Sequence, residues 1–505
     1  MPTMKASDNP AGLRRSVFAR FCRWLFSWKT LRRSLVALAG LITLIALLVT
    51  EENWRGKRDW DNFKREWEAK GERFDIASFI PKPVPDDQNF VMIPFFAPLL
   101  QKERNMAAGE WKDTNGLQSS LDVYGGVHGK RALSGNPLFG NLKAGELTDL
   151  QEWQKFYRAN TNFTASPRPQ YPAKDVLLAL KNFEPVLTEL REASHRPGAQ
   201  FPLYLDRYPG LPLIHLSNLR AVALVLRLRA TAFLADRQSS EALQDLRVSF
   251  RLADSLRPEP FLISHLVRLS LLDDSLNVVW EGLARHQWKE TELVELQTML
   301  ASIDLFADYG RVMRGERAGS NVLLGSLRQE RRVWAGLIYQ NQKWINRLYQ
   351  LRVFPLIDAG LHRVYLMQSN QLTNAPEIRR TTPYNILARL LLPAIGKSAV
   401  KTARVQAFLD QAAAASALER FRLVNGQYPE NLQALVPRFM KRIPPDVISG
   451  NPLQYRRTDA GRIMLRSAGW NLENDGAVTT DGHAKTSIEG AKRSDWVWTY
   501  PVSSE

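Results

Sequence analysis

Seven histidines stand at positions 128, 195, 215, 265, 286, 362 and 483, and no two of them are four residues apart. A zinc protease needs two imidazoles one helical turn apart with a glutamate beside the first, and that HExxH spacing is missing. The GxSxG elbow of serine hydrolases, the phosphate-cradling loop of nucleotide-binding proteins and the dinucleotide-binding GxGxxG are missing too. What is left is pairs of charges. The neighbouring acids Asp86-Asp87 and Asp273-Asp274 diverge by about 100° if helical, so they are expected in solvent or at helix caps. The polar run Arg314-Gly-Glu316-Arg317 lies in a helical stretch and is expected to make an interhelical ion pair. His215 and His265 fall in apolar helices, where a core histidine satisfied by a hydrogen bond is the ordinary case. His483 follows Asp481-Gly482 and reads as an exposed turn residue. Catalytic groups converge in space and not along the chain, so these absences lower the odds of an enzyme without excluding one.

Cys22 is the single cysteine. Disulfides and cysteine-built zinc or redox sites are therefore excluded from everything after it. With 45% hydrophobic and 24% charged residues over 505 positions, the chain reads as globular and long enough for several domains. A mean hydropathy of -0.28 excludes a polytopic membrane protein. The net charge of +17 is concentrated at one end: residues 1–33 carry eight Lys or Arg against the lone Asp8, which supplies +7 and leaves +10 for the rest. Spread over 472 residues, +10 is no nucleic-acid footprint, and no nucleic-acid partner is expected. Anionic lipid beside the basic tail is the nearer partner.

Ser34 to Thr50 reads SLVALAGLITLIALLVT, seventeen residues without a charge. That meets the lower bound of about 17 residues for a spanning helix. Arg32 and Arg33 close its N-terminal flank and Glu51-Glu52 open the other, so the positive-inside rule puts the N-terminus in the cytoplasm. Trp24, Trp28 and Trp54 mark the two ends. Leu48-Val49-Thr50 is a poor cleavage site, which favours a retained anchor over a signal peptide. Uniform apolarity on all faces argues against a buried core helix.

The anchor must lead into whatever carries function. Trp60, Phe63 and Trp67, with Phe74 beyond, predict an amphipathic stalk over 51–75, ended by Pro81, Pro83 and Pro85. No sustained period marks 86–175. Helices are predicted at His215 to Ala235, around Leu243 to Leu256 with Ser239 and Ser240 as caps, at Leu262 to Leu283, and around Leu293 to Ile303. Short joints make them hairpins, with 218–256 similar to a tetratricopeptide-type pair; a bundle and a short solenoid both fit. The apolar stretch Tyr384 to Ile395 contains Arg389 and Pro393 and is too short to cross a membrane. A long helix over 397–424 stops at Asn425-Gly426, followed by a short helix at Leu432 to Val436 and strands at Leu453 to Arg457, Arg462 to Ser467 and Trp496 to Tyr500.

The run ALERFRLVNGQYP from Ala417, then Leu435-Val436-Pro437, Pro445-Asp446, Gly450-Asn451-Pro452, Tyr455, Gly469 and Asn474-Asp475-Gly476, resembles the soluble half of the major pseudopilins of type II secretion. The resemblance covers roughly 400–485, about a sixth of the chain. A pseudopilin carries its leader and assembly helix directly before this unit, whereas here the membrane helix lies about 350 residues upstream, so assembly into a pilus is not expected. The whole layout is similar to large uncharacterised membrane-anchored proteins of planctomycete-like bacteria. The resemblance implies a calcium ion held in the loop after the sheet, with Asn471, Asn474, Asp475, Asp481 and Asp495 as oxygen ligands suited to a hard cation. An Asx-rich turn without metal is the other reading of that loop.

The expectation is a mainly α protein: a basic tail (1–33), a transmembrane anchor (34–50), a juxtamembrane stalk and mixed region (51–175), a helical domain (176–395) and an α+β pseudopilin-like domain (396–505). It would sit in a bacterial inner membrane with its bulk extracytoplasmic, as a non-catalytic, secretion-associated scaffold for other envelope proteins. The alternative is an anchored hydrolase whose site lies within 86–175 or between helices.

Overall fold

The computed structural model describes residues 28–108, 137–203, 213–365, 380–457, 462–467 and 496–500, apart from the side chains of 102, 106–108 and 391–394. The chain is mainly α. Its first helix, α1 (Trp28–Ala69), joins the expected anchor and stalk in 42 residues without a break. No residue of 34–50 is buried, and this is the one described helix long and apolar enough to cross a membrane. Past Glu51 the same helix becomes amphipathic: Trp60 and Phe63 turn inward, and Phe74 meets Trp60 edge-on at 5.8 Å. Gly71, at φ +89°, turns the chain after the helix end, and the prolines at 81, 83 and 85 keep the linker out of α-helix as expected.

Four shorter helices follow: α2 (Ala97–Ala108), α3 (Leu150–Ala159), α4 (Pro172–Ala179) and α5 (Glu184–Ser194). Then come α6 (His215–Ala235), α7 (Ser239–Ser255), α8 (Leu262–Ala284) and α9 (Glu290–Ala301), close to the predicted ranges. Helices α6 and α8 bury nearly every face, which is why their apolar residues run all round. Ser239 does not cap α7. Its hydroxyl donates to Glu292 Oε1 at 3.0 Å, because the residue is buried against α9 and the cap position falls on Gln238. Two further helices, α10 (Leu305–Glu330) and α11 (Ala335–Leu348), lead to a two-residue ladder of β1 (Ile357–Asp358) with β2 (Arg363–Val364).

The last helix, α12, runs from Ile386 to Asn425 and passes through Pro393, so the stretch 384–395 is neither separate nor a second crossing. Ala388 and Ile395 pack into a core with Ile345 and Leu348 of α11. Gly426 stops α12 at φ +79°, its N–H donating to Arg422 O at 2.8 Å. Strands β3 (Gln454–Arg457), β4 (Ile463–Ser467) and β5 (Trp496–Thr499) form an antiparallel sheet in that order, pairing Tyr455 with Leu465 and Leu465 with Trp498. Ile463, Leu465 and Ser467 alternate inward, and Gln411 of α12 donates to Trp496 O at 2.8 Å.

The expected domain limits do not survive: 175/176 falls inside α4 and 395/396 inside α12. One apolar core runs from Phe90 to Tyr500. The limits were set where the helical period begins and where the pseudopilin-like stretch begins, and the buried faces are continuous across both.

Helix α1 crosses α11 at a pair of glycines. A Cβ on Gly56 would stand 2.5 Å from Gly336 O, and one on Gly336 would strike Glu52 O. Neither residue tolerates a side chain without parting the helices. Gly56→Ala should therefore lower the stability of the full chain by about 1–3 kcal/mol in detergent denaturation. Gly40→Ala, which meets nothing within 4 Å, should leave it unchanged.

Candidate functional site

Asp304 begins the positioning. Its carboxylate accepts from Phe306 N and Ala307 N, both at 3.0 Å, and starts α10 at a fixed point. From there the helical period places Phe306, Gly310 and Arg314 in a row. Phe354 and Ile357 form the opposite wall and Phe79 of the linker closes one end, leaving a cleft of about 470 Å3. Gly310 keeps it open, since a Cβ there would meet only the Arg314 guanidinium, at 3.5 Å.

The two arginines at its rim are already engaged. Arg314 donates to Glu72 at 3.0 Å and lies 4.6 Å from the Phe354 ring centre. Arg311 donates to Asp308 at 3.4 Å and to the carbonyl of Arg257, and burial holds its pKa below the usual value. Glu72 takes a second donor, Arg317 at 2.8 Å. Burial pushes the Glu72 carboxyl up, but the Arg314 hydrogen bond and the Arg317 charge outweigh it, so it stays ionised below the ordinary range. The run 314–317 thus makes the expected ion pair, yet its partner is the end of the stalk and not a neighbouring helix. Glu316 stands apart and accepts from Leu262 N at 3.0 Å.

Among the described residues the only lining hydroxyl is that of Tyr309, and no Asp, Glu, His, Ser, Thr or Cys lines the cleft. The His362 imidazole stands against Phe306 at 5.1 Å between ring centres. Its Nε2 lies 2.9 Å from Asp410 Oδ2, and Gln406 donates to the other carboxylate oxygen at 3.1 Å. Burial lowers the His362 pKa, but the hydrogen bond and charge of Asp410 outweigh it and hold it above the ordinary value, while burial pushes the Asp410 carboxyl up in turn. Among the described residues no hydroxyl or thiol contacts this pair, so it lacks the nucleophile of a triad. The cleft can hold an apolar or aromatic group beneath neutralised cations.

The other described histidines are also engaged, His195 excepted, which is exposed. His286 meets Glu419 at 2.9 Å. His265 is buried with Thr402 Oγ1 at 3.0 Å, and burial together with the Arg268 charge drops its pKa to about 3. His215 lies between Glu103 at 2.6 Å and Glu259 at 2.9 Å, stacked on Phe201. Burial would strip its proton, but the Glu259 charge and the Glu103 hydrogen bond raise its pKa to about 10. Both ring nitrogens face carboxylates on opposite sides, so the three cannot share a metal, and no described group of three His, Cys, Asp or Glu is arranged to hold one.

The pair Asp273-Asp274 departs from expectation. The side chains do diverge, but Asp274 points inward to Arg227 at 2.7 Å, and Asp273 holds Lys143 at 2.8 Å. Neither caps a helix. Sequence reasoning also missed Asp245, which holds Arg191 at 3.0 Å and Arg229 at 2.8 Å, and Asp308, which holds Arg268 at 2.6 Å. The signal was available in part: Arg227, Arg229 and Arg268 interrupt otherwise apolar helices, and a buried guanidinium requires a carboxylate. Asn471, Asn474, Asp475, Asp481 and Asp495, the expected calcium ligands, lie outside the described residues, as do His128 and His483.

No protein-family model, curated protein or solved structure matches this chain.

His215 should remain an imidazolium at pH 8, and His265 should be neutral at pH 5, in 15N spectra of histidine-labelled protein. Because the folded His215 value lies above its unfolded value of about 6.5, its stabilising contribution is complete below that pH and declines as pH rises towards about 10. A His215 titration centred near its unfolded value would contradict this arrangement.

Proposed function

We propose that the chain is a single-pass membrane protein with a cytoplasmic N-terminal tail and an extracytoplasmic helical body that binds other envelope proteins without catalysing a reaction. One observation carries the reading. Helix α1 is unbroken from an apolar half with no buried residue to an amphipathic half seated in the body. A stretch apolar on every face and left exposed by the described residues suits hydrocarbon. The basic flank at Arg32 and Arg33, against Glu51-Glu52, sets the orientation.

Binding is favoured over hydrolysis by the chemistry of the cleft. Its walls are Phe306, Phe354 and Ile357, and its cations are held by Glu72 and Asp308. Such a lining suits an apolar side chain of a partner protein better than a polarised scissile bond. The resemblance of 400–485 to pseudopilins points to a partner of the secretion apparatus in a bacterial inner membrane.

Carbonate washing should leave the intact chain in the membrane pellet. Alkaline phosphatase fused after Glu505 should be active, and a reporter that works only in the cytosol should be silent there. Release by carbonate, or the opposite reporter pattern, overturns the reading. Gly310→Trp, which fills the cleft, should abolish crosslinking of an envelope protein to a photoreactive group at Ala359 while leaving the melting temperature unchanged.

A further inference from the structure

Beyond α1, large apolar side chains lie open on two segments of the body: Val333 at 60% exposure and Trp334 at 57%, and Ile386 at 46% and Leu390 at 72%. They come from two places that pack on the same helix. Val333 and Trp334 sit in the turn just ahead of α11, and Ile386 and Leu390 in the first turns of α12. The N–H of Leu387 donates to Asn341 Oδ1 of α11 at 3.2 Å, which fixes one against the other.

Both places touch α1 where it leaves its apolar half. Asn53 Nδ2 donates to the carbonyl of Arg332 at 3.3 Å, and Gly336 N donates to Asn53 Oδ1 at 2.5 Å. Arg55 donates to the Tyr384 hydroxyl at 3.0 Å. Asn53 and Arg55 stand three and five residues past Thr50, so they lie about 4.5 and 7.5 Å along the axis from the end of the span. The headgroup layer is about 5–7 Å deep on each face of a bilayer. Contacts made at that depth hold their partners at that depth too. The span reinforces this: seventeen residues rise only about 26 Å, less than the hydrocarbon thickness of about 30 Å, which draws the body towards the lipid.

Charge agrees with depth. Arg331, Arg332 and Arg389 are exposed around the apolar group, and none is salt-bridged to an acid among the described residues. Arginines interleaved with tryptophan and aliphatic side chains are the composition of an interfacial membrane contact.

We infer that Val333, Trp334, Ile386 and Leu390, with their arginines, form a second lipid contact that seats the body on an anionic bilayer surface. The inference rests on 34–50 being a span, and the two can fail separately. The full chain with Cys22→Ser would carry a nitroxide at a single new cysteine, Leu41→Cys, Val333→Cys or Ser240→Cys, in vesicles of phosphatidylglycerol and phosphatidylcholine. Accessibility to oxygen relative to a water-soluble nickel chelate reads depth. The label at 41 should report hydrocarbon, that at 240 water, and that at 333 the headgroup layer, with an oxygen-to-nickel ratio several-fold above that at 240. If 333 matches 240 while 41 stays in hydrocarbon, the span stands and the second contact is overturned. If 41 is itself in water, the span reading fails and takes the second contact with it.

Discussion

Where Gly56 crosses Gly336, the backbones of α1 and α11 approach so closely that neither position has room for a Cβ, and the architecture depends on that approach. Sharp kinks in a helix come from proline, bulges or inserted groups. Helix α1 holds no proline and runs through 42 residues as one helix, so its apolar half passes directly into its amphipathic half. The body grips the second half through Asn53, Asp59, Trp60 and Phe63, with Gln340 donating to Asp59 at 3.0 Å. The orientation of the apolar half therefore fixes that of everything else.

Inside the body the arrangement is specified by buried charges. Arg227 needs Asp274, Arg268 needs Asp308, Arg229 and Arg191 share Asp245, and His215 stands between Glu103 and Glu259. Such pairs add little net stability, because desolvation cancels much of the attraction. Breaking one leaves a bare charge in the core, which costs about 3–5 kcal/mol. Alternative packings of the apolar helices are thereby penalised, since each would separate several pairs at once. The pairs join segments distant in the chain, Glu103 with His215 and Glu72 with Arg317 among them.

Much of the fold was legible because helices leave a local period. His215 to Ala235 matches α6 end for end, the Asn425-Gly426 stop is a left-handed glycine, and the β3–β4 hairpin lies where alternating residues put it. The stalk stripe of Trp60 and Phe63 is buried as its spacing required. What escaped was non-local. The domain limits followed the onset of helical period and of the pseudopilin-like stretch, but α12 runs from 386 through 425 and one core passes across both limits. The cleft was invisible because its walls come from residue 79, residues 306–314 and residues 354–359, none of which carries a motif. Asp273-Asp274 was misjudged for a related reason: adjacency predicts divergence on a helix and says nothing of which side chain turns inward.

The unbroken helix also has a mechanical consequence. A domain tethered by a floppy leash can tumble above a membrane, and a pull on it merely straightens the leash. Here about 63 Å of rigid rod runs from Trp28 to Ala69 with its far end clamped into the body. With 34–50 lying across a bilayer, as proposed above, a sideways load on the body would reach the lipid as torque, and any rotation of the body about the rod axis would be carried along the rod to its other end.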